Sequence, residues 1–128
     1  MPRVLVDSSV WISFFRGTGD LPGGFVKLLQ TGQLATCGIV MAELLAGVRS
    51  PSERKSIEAG LAALDYLETS QSTWILVGET LAGLRRTGRT IPVSDVILAA
   101  LAIQNDCSVL TFDRHFSYIP NLKLHRSS

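Results

Sequence analysis

Eight consecutive residues, Val96 to Ile103, carry no polar side chain: Val96-Ile97-Leu98-Ala99-Ala100-Leu101-Ala102-Ile103. The run is far shorter than the roughly 20 apolar residues that a membrane-crossing helix needs. Ser94 is placed to cap it as a helix, and a helix this apolar has to be buried on most of its sides. Around it the chain alternates short apolar runs with helical segments. Val4-Leu5-Val6, Leu34 to Cys37, Ser108 to Thr111 and Leu122 to Leu124 read as strands. Asp7-Ser8-Ser9 can cap a helix running through Phe15, and Gly17-Thr18-Gly19-Asp20 then breaks the chain. Pro22 is placed near the start of a helix to Gln30, which Gly32 ends. Ile39 to Val48, Pro51 to Leu64 and Ser72 to Arg86 read as further helices, the last stopped by Gly88. Strands separated by helices predict an α/β fold, a three-layer α/β/α arrangement with a short, mainly parallel central sheet. The 128 residues suit a single domain spanning 1–128.

Composition excludes several classes. Charged residues make up 18% of the chain and hydrophobic ones 46%, the reverse of a disordered composition. With 12 Lys and Arg against 11 Asp and Glu, the formal net charge is +1, so no general basic excess carries phosphate binding. Cys37 and Cys107 stand far apart without CxxC spacing or a His/Cys cluster. They read as buried free thiols, with neither a zinc site nor a disulfide framework indicated. Met1 to Asp7 shows no signal-peptide core before it meets an acid. The expected setting is soluble, reducing and cytoplasmic, with no membrane association.

Four carboxylates stand in apolar contexts. Asp7 and Asp113 each follow a strand, at the carboxyl edge where sheets of this kind place ligands. Helix capping alone accounts for either one in isolation. Glu43 has Ile39, Val40, Ala46 and Gly47 as its helical neighbours three and four positions away, which predicts a core-facing carboxylate. Such a group needs a distant cation or a metal. Asp95 opens the most apolar helix, where the helix dipole favours an acid by about 0.3–1 kcal/mol. If the four converge, their repulsion has to be cancelled. An all-oxygen set without His or Cys suits Mg²⁺, with Mn²⁺ able to substitute, as one or two ions. A carboxylate-held Mg²⁺ suits phosphoryl chemistry, in which bound water becomes the nucleophile.

Four motifs in order resemble PIN-domain ribonucleases, and most closely the VapC-type toxins of toxin–antitoxin pairs. They are Val4-Leu5-Val6-Asp7-Ser8-Ser9-Val10-Trp11-Ile12, Met41-Ala42-Glu43-Leu44-Leu45-Ala46-Gly47, Val93-Ser94-Asp95-Val96-Ile97-Leu98-Ala99-Ala100 and Leu110-Thr111-Phe112-Asp113-Arg114-His115-Phe116. The resemblance implies a PIN-like fold and a Mg²⁺-dependent endoribonuclease, usually a homodimer, inhibited by a VapB-like antitoxin. It assigns catalysis and metal binding to Asp7, Glu43, Asp95 and Asp113, with Ser8 and Thr111 orienting these ligands. Residues Pro51 to Arg89 match no motif and could carry substrate choice.

An RNA substrate also calls for cations. Arg114 adjoins Asp113 and is the best-placed phosphate contact, with Arg85 and Arg86 as further candidates. Both groups also read as solvated faces or helix ends. His115 and His125 have no evident general-base role. Trp11, Phe14 and Phe15 read first as core, and second as a groove for a partner. Two other readings stay open: an aspartate-based phosphotransfer or phosphatase domain using Asp7, and a non-catalytic interaction module whose acids are only caps. Setting the four acids aside leaves 7 acids against 12 bases, a basic periphery around an acidic pit.

Overall fold

The computed structural model describes residues 2–17 and 19–126; Met1, Ser127, Ser128 and Thr18 of the expected break lie outside the described residues. Strand β1 (Val4–Val6) is buried at every position, as a central strand covered on both faces must be. It leads through Asp7 into α1 (Ser8–Arg16), which Gly17 closes in the left-handed conformation at φ 64°. Next come α2 (Phe25–Gln30), β2 (Leu34–Cys37), α3 (Gly38–Ala46), α4 (Pro51–Ala62), β3 (Asp65–Leu67), α5 (Gln71–Arg86) and α6 (Val93–Gln104). Strand β4 (Ser108–Leu110), a 3-10 helix (Arg114–Tyr118) and β5 (Lys123–Leu124) complete the described chain.

All strand pairs are parallel, in the order β3-β2-β1-β4-β5. The chain winds outward from β1 to β3, then crosses back to β4 through α5 and α6. Right-handed crossovers therefore put α1–α4 on one face and α5–α6 on the other. The winding direction reverses between β1 and β4, the topological switch point at which such sheets open a crevice. Val4 pairs with Ser108, Leu5 with Val109 and Val6 with Leu110. Asp7 is consequently level with Thr111, and its N–H donates to the Leu110 carbonyl at 2.9 Å.

The apolar run is buried as expected: every residue from Val96 to Ala102 is buried in α6, which packs against β4 and α5. Both cysteines are free and buried. Trp11 is core, its ring T-shaped against Phe14 and Phe25 and stacked on Phe15 at centroid distances of 5.3–5.8 Å. Among the described residues no helix is long and apolar enough to cross a membrane.

Three local expectations are corrected. Helix α2 starts at Phe25 rather than near Pro22, whose carbonyl accepts from Phe25 N–H in a preceding turn. Helix α6 starts at Val93 after Pro92, so Ser94 lies in the first turn and does not cap it. The expected helix from Pro51 to Leu64 stops at Ala62, and Asp65–Leu67 forms β3 at the sheet edge. That strand is set by pairing with β2, because its own residues carry no β-branched signal.

Candidate active site

The rim of the β1–β4 crevice is acidic. Asp7 is only 7% exposed, and a carboxylate so enclosed needs donors. It receives two: Ser9 Oγ and Thr111 Oγ1 each donate to Asp7 Oδ2 at 2.8 Å. Asp7 occupies the N-cap position of α1 but makes no side-chain capping bond, so capping does not explain it. Both hydroxyls have second partners. Ser9 Oγ accepts from Phe112 N–H at 3.4 Å, and Thr111 Oγ1 accepts from Asp113 N–H at 2.9 Å. These bonds stitch the turn after β1 to the segment after β4.

Asp113 does act as a cap: its Oδ1 accepts from His115 N–H at 2.9 Å, opening the 3-10 helix. The same oxygen lies 3.0 Å from His115 Nδ1. Asp95, Asp113 and His115 each offer an atom that could bind a metal, and these atoms all lie within 4.8 Å of one another. Burial pushes the Asp95 carboxyl up to about 6, with Asp7, Asp113 and Glu43 adding to the rise and His115 opposing it. Three acids from three other elements thus act on one carboxyl, the electrostatic signature of convergence.

Glu43 joins this rim differently from expectation. It is exposed rather than core-facing, and Ser8 Oγ donates to its Oε1 at 3.1 Å. Helix α3 is apolar almost all round, yet only Val40 and Leu44 are buried; apolar neighbours therefore do not mark an inward face. Ser8 is tied to Glu43, and the hydroxyl that flanks Asp7 is that of Ser9, which the motif reading passed over. His115 was also missed: a residue two places after Asp113 reaches the acids only through the tight 3-10 turn. Arg114 is exposed and lines a cavity with Thr111 and Asp113. Arg85 and Arg86 are exposed in the last turn of α5.

Among the described residues, no Lys or Arg forms an ion pair with Asp7, Glu43, Asp95 or Asp113. Carboxylate oxygens of Asp95 and Asp113, gathered with the His115 imidazole, are a mainly oxygen donor set that fits a divalent cation.

Comparison with known proteins agrees with this geometry. The PIN domain family model matches residues 4–122. Ribonuclease VapC19 of Mycobacterium tuberculosis is 31% identical over 121 residues, covering 93% of this chain and 96% of the relative. Ribonuclease VapC11 of the same organism is 26% identical over 127 residues, covering 93% and 92%. Among solved structures, DNA-bound VapBC from Salmonella typhimurium superposes with a TM-score of 0.85 at 20% identity, over 98% of both chains. VapBC2 from Rickettsia felis, bound to a promoter DNA fragment, superposes with a TM-score of 0.82 at 22% identity, again over 98% of both. The chain belongs to the PIN-domain family and, within it, to the VapC ribonucleases.

Proposed function

We propose that this chain is a divalent-metal-dependent endoribonuclease that hydrolyses RNA phosphodiester bonds, with Mg²⁺ as its ion, acting as the toxin of a VapBC-type pair. The observation that carries this reading is geometric: atoms of Asp95, Asp113 and His115 that could bind a metal lie within 4.8 Å of one another, and Thr111 ties Asp113 to the buried Asp7 at the same rim. When bound, the cation supplies Lewis-acid chemistry: activation of water and neutralisation of charge at the phosphate.

The chain's own residues prepare that site. Asp7 Oδ2 is held by Ser9 and Thr111, which fixes the carboxylate; Asp7 would be one of the residues that hold the cation. Asp95 would hold the cation in its ionised form, and Asp113, oriented by the 3-10 turn it caps, would hold it beside Asp95. Ser8 steadies Glu43 through the hydrogen bond it donates to Oε1. Arg114, beside Asp113, is the leading phosphate contact, with Arg85 and Arg86 extending the basic surface. Residues 1–128 act as one domain in this reading, in the cytoplasm.

A VapB-like antitoxin and a second copy of this chain are the proposed protein partners. Supporting them is apolar surface left open by this chain alone: Trp74 is 51% and Ile75 56% exposed on α5, and Ile12, 36% exposed, borders a groove beside Glu43 together with Phe15.

The test is RNA cleavage with Mg²⁺ and with EDTA, by wild type and by Asp7→Asn and Asp95→Asn. The expected result is cleavage by wild type with Mg²⁺ only, falling about 100-fold or more in either variant. Folded variants that cleave at wild-type rates would sink the assignment.

A further inference from the structure

We propose that the cavity on the far side of Asp113 is a nucleotide subsite, in which Arg114 and Arg126 hold a phosphate and Phe112 and Tyr118 stack a base. This rests on the ribonuclease reading above and extends it to how a single strand is held beside the acidic rim.

The topology makes the cavity. Strands β4 and β5 are parallel, with Val109 opposite Leu124, and His125 N–H donates to the Val109 carbonyl at 2.8 Å. The residues following both strands therefore leave the sheet at the same edge. Asp113 and Arg114 come from one strand end, His125 and Arg126 from the other, and the 3-10 helix closes the side. The cleft is open to solvent and offers about 320 Å³, at the lower end of small-molecule sites, about 300–1,000 Å³.

Its lining is what a nucleotide requires. Two guanidinium groups and an imidazole border it within reach of Asp113, so a strand anchored there continues directly to the acidic cluster. Arg114 and Arg126 are exposed, and among the described residues neither is engaged in an ion pair. Phe112 and Tyr118 are 49% and 48% exposed, an unfavourable placement for aromatic rings that base stacking would offset. The Phe112 backbone is tied to Ser9 Oγ through its N–H, and the Tyr118 ring is backed by the Arg89 guanidinium, 3.8 Å from its centroid. Arg89 lines a separate cavity that shares Tyr118 as a wall, so the tyrosine stands between its clamp and the proposed base site.

The experiment is fluorescence anisotropy with a short fluorescein-labelled single-stranded RNA. It is done in EDTA on the Asp95→Asn protein, which lacks one repelling charge. Arg126→Ala, Phe112→Ala and a remote exposed control on α4, Lys55→Ala, are added to that background, and circular dichroism melts establish that each folds. Arg126→Ala should weaken binding and lower the salt slope by about 0.7, the value for one single-strand phosphate contact. Phe112→Ala should weaken binding roughly tenfold with the slope unchanged, as lost stacking does. Lys55→Ala should change neither. If folded Arg126→Ala and Phe112→Ala proteins bind like the Lys55→Ala control, the subsite is overturned, and so it is if the Asp95→Asn parent binds no RNA. Cleavage by wild type with Mg²⁺ leaves the ribonuclease reading standing in both cases; a wild type inactive with Mg²⁺ and Mn²⁺ overturns that reading as well.

Discussion

Thr111 Oγ1 donates to Asp7 Oδ2 at 2.8 Å across 104 positions of sequence, while accepting from Asp113 N–H at 2.9 Å. One hydroxyl thereby sets the distance between the two strand-end aspartates on either side of the switch point. Neither bond is available to a side chain that lacks both a donor and an acceptor at that place.

Thr111→Val tests this coupling with little change of shape. It leaves Asp7 with one donor and the Asp113 N–H without its acceptor, so stability should fall by about 1–3 kcal/mol. RNA cleavage should fall about 10–100-fold through misplacement of the aspartates. Thr111→Ser should recover most of both. Urea unfolding and initial cleavage rates decide it; a Val variant as active as wild type would show that the hydroxyl positions nothing.

The Asp95 carboxyl gives a stability prediction with a definite sign. Folding raises it from an ordinary 3.8 to about 6, so between these values the folded protein binds more protons than the unfolded chain. Asp95 therefore weakens the metal-free protein progressively as pH rises from about 4 to about 6, and in full above that. Solvent reaches this residue, which limits the effect to on the order of 1 kcal/mol. Asp95→Asn should accordingly raise the melting temperature in EDTA at pH 7.5 by about 4 °C. The gain should shrink toward zero near pH 4. A variant less stable than wild type at pH 7.5 would contradict it.

Much of this site could be read from the sequence because local signals and topology agree there. Val4-Leu5-Val6 before Asp7, and Ser108-Val109-Leu110 before Thr111, are short apolar strands ending in polar residues, and parallel pairing then brings both ends together. The Val96–Ala102 run could only be buried. Other parts depend on tertiary partners. Strand β3 begins with a charged residue and two of its three residues are exposed, so only its ladder with β2 identifies it. Glu43 misled because α3 is apolar beyond its buried face, which removes the contrast that orients a helix. Ser9 donates to Asp7 only two residues away, but its link to the segment after β4 runs to Phe112, 103 positions on, and His115 reaches the acids through a single turn of backbone.

Leu5 measures how far the core alone supports the fold. It is fully buried at the centre of β1, between β2 and β4. Leu5→Ala should cost about 2–5 kcal/mol from lost transfer energy and the cavity left behind. Denaturant unfolding reads this directly. A loss below about 1 kcal/mol would mean that β1 collapses around the gap.

Cys37 tests the electrostatics from below the site. Burial pushes its thiol above the ordinary value, with Glu43 and Asp7 adding to the rise against bonds from Val40 and Ile39 backbone groups. The nucleophilic thiolate is thus suppressed twice, by enclosure and by neighbouring acids. Labelling with a disulfide reagent at pH 8 should proceed only as fast as the protein opens, and urea should accelerate it steeply. Rapid labelling of the folded protein would show that this rim is open to solvent at Cys37.

Divalent ions should stabilise the protein through the same four carboxylates. A ligand that binds only the folded state at 100 times its dissociation constant adds about 2.7 kcal/mol. Mg²⁺ or Mn²⁺ in that excess should raise the melting temperature of wild type at pH 7.5 by several degrees. The increase should decline as pH falls through about 6, because protons then compete for Asp95. Asp95→Asn and Asp7→Asn should lose most of the shift, whereas Lys55→Ala, on the exposed surface of α4, should keep it. Equal shifts in wild type and both Asn variants would place the ion elsewhere on the molecule.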